Sequence, residues 1–157
     1  MRVYRLYRKR RRDTAFTGGG ARITGARWNL PGTATVYTCS TVSICLLEFF
    51  VHFGPEVADL TRLNLEYRWA DVPETVPRFE ARDSDLPKNW KEIPWPKSTQ
   101  ETGTKWMIEG QHLVVSVPSV IVPMERNLLL NPKHPLFSKI SIGPPSAIEI
   151  DPRLFSG

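Results

Sequence analysis

Glu48 is the residue in this sequence whose neighbours most demand an explanation. It sits among Leu46, Leu47, Phe49 and Phe50, with Ile44 and His52 one turn to either side. A carboxylate in such company is costly unless it is paired or reaches a wet cavity. Two readings fit: a narrow solvated stripe on a helix, or a carboxylate held at a site. Upstream, Gly18 to Gly20, Gly25 and Gly32 surround an Arg27-Trp28 pair. That density of glycine permits close approaches that side chains would block, which suits a ligand lying against the chain. Tyr37 follows within Thr35 to Thr38, and Ser119 stands between two prolines in VPSVIVP. A serine there ordinarily satisfies local backbone.

Other chemistries are poorly served. No GxSxG elbow surrounds Ser119, and His52, His112 and His134 follow no triad order, so a hydrolytic serine has little support. No CxxC or HExxH spacing occurs, so no metal site is expected. Cys39 and Cys45 are the only cysteines; flanking a helix start, they read as reduced packing thiols. Gly18 to Gly20 are adjacent, and no GxGxxG follows a strand, which leaves no Rossmann fingerprint. Asn131-Pro132 and His134-Pro135 read as turn chemistry and not as a catalytic histidine.

The elements that must position these residues can be read from periodicity. Val3 to Leu6 is a first strand, a basic segment with helical character follows, and then comes a glycine-rich loop. Thr35 to Thr38 is β-branched and aromatic, hence a strand. A helix begins with Ser40 or Thr41 as N-cap, repeats Ile44, Leu47 and Val51 at helical spacing, and stops at Gly54-Pro55. Glu56 to Leu60 extends a helix briefly. Leu63, Leu65, Tyr67 and Trp69 alternate with polar residues, the period of a half-buried strand. Asp71 to Pro96 is rich in proline and charge, but carries Phe79, Leu86, Trp90, Ile93 and Trp95, too much apolar bulk for a free tether, so it is expected to pack irregularly on the core. Ser98 and Glu101 have capping-box spacing ahead of a helix from about Thr99 to Glu109. Short apolar runs at 112–117, 119–122, 127–130, 140–142 and 147–150 then predict strands. The expectation is one α+β domain over residues 1–157, with a mixed β-sheet and flanking helices.

Composition sets bounds. The 157 residues suffice for a single buried core, 41% are hydrophobic and 24% charged, and no apolar run approaches the roughly 18 residues that cross a bilayer. The N-terminus has basic residues without an apolar signal core, which predicts a cytoplasmic protein. The net charge of +5 rests on Arg8, Lys9, Arg10, Arg11 and Arg12. Such a run fits a polyanion or an acidic protein partner, and it also fits a solvated helix face. With no nucleic-acid motif beside it, the solvated face is expected and direct DNA binding is not.

Taken together, GGGARITGARWNLPGTATVYTCS, the LLEFFVH helix, LPKNW, GTKWMIEG and VPSVIVPMERNLLLNPKHPLF resemble the RES-domain toxins of bacterial toxin-antitoxin pairs, in order and approximate spacing from Tyr4 to Phe155. Ala26 departs from the family, which more often has a second glycine before the arginine, and the basic run is denser than the pattern requires. The resemblance implies a fold like that of ADP-ribosyltransferase toxins, NAD as a substrate consumed by hydrolysis, phosphorolysis or transfer to protein, and an Xre-type antitoxin partner. It also implies that Arg27, Glu48 and Ser119 are the family's arginine, glutamate and serine, with Tyr37 a further site residue. In those roles Glu48 would stabilise an oxocarbenium-like state, bind a ribose hydroxyl or orient a water. Arg27 would hold pyrophosphate or a ribose oxygen, or else stack on Trp28 as a structural residue. Tyr37 would face nicotinamide, and Ser119 would orient the ribose or the amide. Three functions stay open: an NAD-degrading toxin, a protein ADP-ribosyltransferase, and a basic nucleic-acid-binding module.

Overall fold

A computed structural model describes residues 1–53, 64–151 and 153. Eight strands form one sheet: β1 (Arg2–Arg8), β2 (Val36–Cys39), β3 (Leu65–Asp71), β4 (Arg78–Glu80), β5 (Val114–Pro118), β6 (Arg126–Leu130), β7 (Ser141–Ile142) and β8 (Ser146–Ala147). Their order is β4-β5-β6-β2-β1-β3-β7, with β8 also pairing β3. Every pairing is antiparallel except β4 with β5, so the sheet is mixed. Three helices flank it: α1 (Gly19–Thr24), α2 (Val42–Phe53) and α3 (Lys97–Glu109). The α+β class expected from the sequence is present.

Alternation sends side chains to two faces. Val3, Tyr7, Val36, Val114, Leu128 and Leu130 pack on one side with Ala15 and Phe16. On the other, Val115, Val117 and Leu129 meet Met107 of α3 together with Trp28 and Trp90. Because both faces are covered, β5 and β6 read as continuous apolar runs rather than alternating ones.

Several local expectations change. The glycine-rich stretch is partly helical: Gly18 takes φ +68° just before α1, and a Cβ there would lie 2.7 Å from the backbone nitrogen of Thr35. The basic run forms a 3-10 turn, Lys9–Thr14, in which the Arg12 guanidinium pairs with the Glu66 carboxylate. Ser98 does not cap α3; Pro96 is the N-cap and Ser98 donates instead to Asn89 Oδ1 at 3.1 Å. The α2 helix is where it was expected, with Thr41 Oγ1 accepting from the Ile44 amide at 3.2 Å, but its apolar spacing misleads. Ile44 is buried, whereas Leu47 and Val51 face solvent. Of the large residues in 71–96, Leu86 and Trp90 are buried, but Ile93 is 79% exposed. Residues 119–122 form no strand. The brief helix expected at Glu56 to Leu60 lies outside the described residues.

Candidate active site

The sheet is weakest between β1 and β2. Where β1 and β3 pair over seven residues, β1 and β2 share only Tyr4 opposite Cys39. Beyond that bridge the strands part, and Arg5 reaches across the gap, its Nη1 donating to Tyr37 O at 2.5 Å. Over the same region α2 lies on β1 and β2, and a cavity of about 490 Å³ opens there, a size typical of small-molecule sites. Arg5, Arg27, Tyr37, Glu48 and Asn127 all line it.

Glu48 fits neither of the simple readings of its helix. Its side chain is 21% exposed and faces the cavity, while the solvated stripe of α2 is the apolar one. Oε1 accepts from Ser119 Oγ at 3.0 Å and from Asn127 Nδ2 at 2.6 Å. His52 Nε2, one turn on, lies 4.0 Å from Oε2.

Ser119 explains the missing strand. Its Oγ accepts from the amides of Ile121 and Val122 at 3.1 and 3.2 Å, a local turn that competes with a ladder. With both lone pairs engaged, a hydroxyl has one proton left to give, and it gives it to Glu48. Ser119 is 1% exposed and sits behind Glu48 and not on the cavity wall.

Arg27 does not stack on Trp28. Its Nη1 donates to the carbonyls of Trp90 and Glu92 at 2.5 and 3.1 Å, and its guanidinium lies 6.0 Å from the Trp95 ring. Burial pushes its pKa below the usual guanidinium value, and the Glu48 carboxylate acts in the opposite sense. Trp28 is buried instead between Trp90 and Trp106, with ring centroids 5.8 Å away in each case. Ala26 is absent from the described residues that take a positive φ, so its methyl group imposes no backbone strain.

Tyr37 presents its ring to the cavity and commits its hydroxyl elsewhere: it accepts from the Trp28 amide at 3.0 Å and donates to Asn29 Oδ1 at 2.8 Å. Asn29, fully buried, spends Nδ2 on the carbonyls of Ala21, Leu30 and Thr33. Burial pushes the Tyr37 phenol far above its ordinary value, so it stays protonated. Tyr37→Phe leaves a buried amide and a buried amide oxygen without partners, and is expected to cost about 1–3 kcal/mol in denaturant unfolding. A change below about 0.5 kcal/mol would contradict this anchoring.

Arg5 and Asn127 escaped the sequence reading. The signal for Arg5 was present: a cation inside the apolar run VYRLY. Burial lowers its pKa, its Nε has no hydrogen-bond partner, and no carboxylate among the described residues pairs with it. A cavity wall with an unpaired guanidinium is suited to an anion. His134 does turn chemistry, its Nδ1 accepting from the Leu136 amide at 3.1 Å, and Cys39 and Cys45 are buried free thiols. Among the described residues, no cluster has the make-up of a metal site and no helix is long and apolar enough to cross a membrane.

Comparison with known proteins agrees with the geometry. The family model described as the RES domain matches residues 2–151. The "Toxin Res" of Yersinia enterocolitica is 35% identical over 157 residues, covering 98% of this chain and 99% of that protein. The "Prs ADP-ribosylating toxin" of a Sphingobium species is 38% identical over 121 residues, 76% of this chain and 73% of its own. Among solved structures, a chain of the M. tuberculosis MbcT-MbcA toxin-antitoxin complex superposes with a TM-score of 0.70 at 17% identity, covering 99% of this chain and 86% of that one, which supports a common fold.

Proposed function

The chain belongs to the RES domain family, and we propose from that premise that it is the toxin of a toxin-antitoxin pair and consumes NAD by breaking the bond between nicotinamide and ribose. The observation that carries this reading is the charge pattern of one cavity. Arg5 and Arg27 line it together with a single carboxylate, Glu48, whose orientation is fixed by Ser119 and Asn127. NAD has the complementary pattern, an anionic pyrophosphate beside a ribose that carries a cationic nicotinamide.

In this reading the two guanidiniums take the pyrophosphate oxygens, for which a planar fork is better suited than an ammonium. Tyr37 offers its ring to the nicotinamide end. As the glycosidic bond breaks, its electron pair leaves with neutral nicotinamide, and positive charge appears on the ribose. Glu48, already oriented, stabilises that charge without reorganisation. A water or a phosphate then adds to the anomeric carbon. Ser119 serves by holding Glu48.

The resemblance to a protein named as an ADP-ribosylating toxin favours a second reading, in which a protein side chain replaces water as acceptor. An antitoxin of Xre type is the expected partner and the cytoplasm the expected compartment. The test is to incubate the purified chain with NAD, phosphate and cell lysate, and to quantify nicotinamide, free ADP-ribose, ADP-ribose phosphate and labelled protein separately. Nicotinamide with free products supports NAD degradation; labelled protein supports transfer; intact NAD removes both.

A further inference from the structure

Asn127 belongs to β6, where two registers determine its surroundings. It stands opposite Cys39 of β2 and opposite Val117 of β5. Residues two apart share a face of a strand, so Asn127 shares the cavity face with Leu129, as Cys39 does with Tyr37. Its Nδ2 donates to Glu48 Oε1 at 2.6 Å, and its Oδ1 accepts from the Cys39 thiol at 3.4 Å. Charge decides which way the amide points, because the flipped amide would set its oxygen against a carboxylate oxygen.

The consequence is an asymmetric carboxylate. Oε1 receives two donors, from Asn127 and Ser119. Oε2 has only His52 Nε2 at 4.0 Å, beyond hydrogen-bond range. One oxygen is pinned from two directions, and the other is left to meet whatever occupies the cavity. Ser119 alone would leave the carboxylate free to swing about a single bond.

We propose that Asn127 is a positioning residue that locks Glu48 so that Oε2, and not Oε1, is presented to the reacting ribose. The inference rests on the reading of Glu48 as the charge-stabilising group for NAD cleavage. Asn127 acts on orientation and does not itself hold the substrate, so its loss slows the chemical step and spares NAD affinity.

Two variants test it. Asn127→Asp keeps the shape and replaces the donor by an oxygen that repels Glu48; Asn127→Leu removes the donor without a charge. Both are expected to lower kcat about 10- to 100-fold with KM within about threefold of the parent, the aspartate more severely, since small misplacements of reacting groups cost on this scale. Combined with Glu48→Gln, either variant should add no further loss, because both changes act through one carboxylate. Thermal unfolding checks that each variant folds, and if Asn127→Leu does not fold, the isosteric aspartate decides. The proposal is overturned if a folded single variant keeps more than about half of kcat, or if its loss multiplies in full with that of Glu48→Gln. If the parent protein leaves NAD intact, the functional reading fails separately, and crystal structures of the parent and Asn127→Asp decide the positioning claim. A Glu48 carboxylate displaced from Ser119 supports it; an unmoved one overturns it.

Discussion

Glu48→Gln lowers nicotinamide release by about 10³-fold while the protein stays folded. The magnitude is that of removing one preoriented electrostatic group from a water-poor site, equivalent to roughly 4 kcal/mol at the transition state. The change is conservative for structure because a glutamine oxygen can still accept from Ser119 and Asn127, which donate to Oε1 at 3.0 and 2.6 Å in the parent. Only the charge, and the group presented at Oε2, are different. Stability should therefore move by less than about 1 kcal/mol, and KM by little, because the pyrophosphate is held by Arg5 and Arg27. Measured kcat, KM and unfolding free energy for the pair of proteins check this. A folded Glu48→Gln enzyme with kcat within about tenfold of the parent would remove Glu48 from the centre of the chemistry.

Gly103→Ala is expected to be the most damaging methyl group in the chain relative to its size. The added Cβ would lie 2.1 Å from the carbonyl oxygen of Trp28, 2.8 Å from its carbonyl carbon and 2.9 Å from its Cβ. These are backbone and near-backbone atoms, so no side-chain rotation relieves the contact. Helix α3 must lift from the segment that carries Arg27. Lifting it strains the bond from the Leu30 amide to Thr104 Oγ1 at 2.8 Å, and those from Gln100 Nε2 to the carbonyls of Ala26 and Asn29 at 3.1 and 3.2 Å. Overpacking of this kind costs about 3 kcal/mol, a fall in Tm of roughly 6–12 °C for a domain of this size, and activity should fall with it as Arg27 moves. Gly20→Ala is the control. It lies in α1, and a Cβ there meets nothing within 4 Å, so it is expected to be neutral or stabilising by up to about 1 kcal/mol. Calorimetry on both variants decides; a Gly103→Ala protein melting within about 2 °C of the parent would mean that α3 does not rest on Trp28 as described.

Much of the architecture was legible because strand and helix periods are local. The runs that became β1, β2, β3, β5 and β6 were bounded by turn residues or by a change of period, and the α2 helix carried its own cap and stop. Where the reading failed, a contact between distant residues had overridden local pattern. The 119–122 run looks like a strand until Ser119 is seen to bind two nearby amides and Glu48, 71 residues away in sequence. Ser98 has capping-box spacing, yet α3 begins one turn earlier behind Pro96. Leu47 and Val51 obey helical spacing, but the face of α2 that turns inward bears Ile44, Cys45 and Glu48. Glu48 announced itself through its apolar neighbours, and Arg27 through its glycines. Tyr37 and Ser119 were singled out by resemblance more than by chemistry. Asn127 gave no sign, since an asparagine's importance here depends wholly on which residues the β2 and β6 registers set beside it.

The account stands or falls on one cavity acting on NAD. The most direct measurement is the time course of nicotinamide release from NAD by the purified chain, freed of any bound antitoxin, with Glu48→Gln run beside it. The prediction is steady release by the parent and loss of about 10³-fold in the variant. NAD that remains intact with the folded parent, with no label passed to protein in lysate, would contradict it.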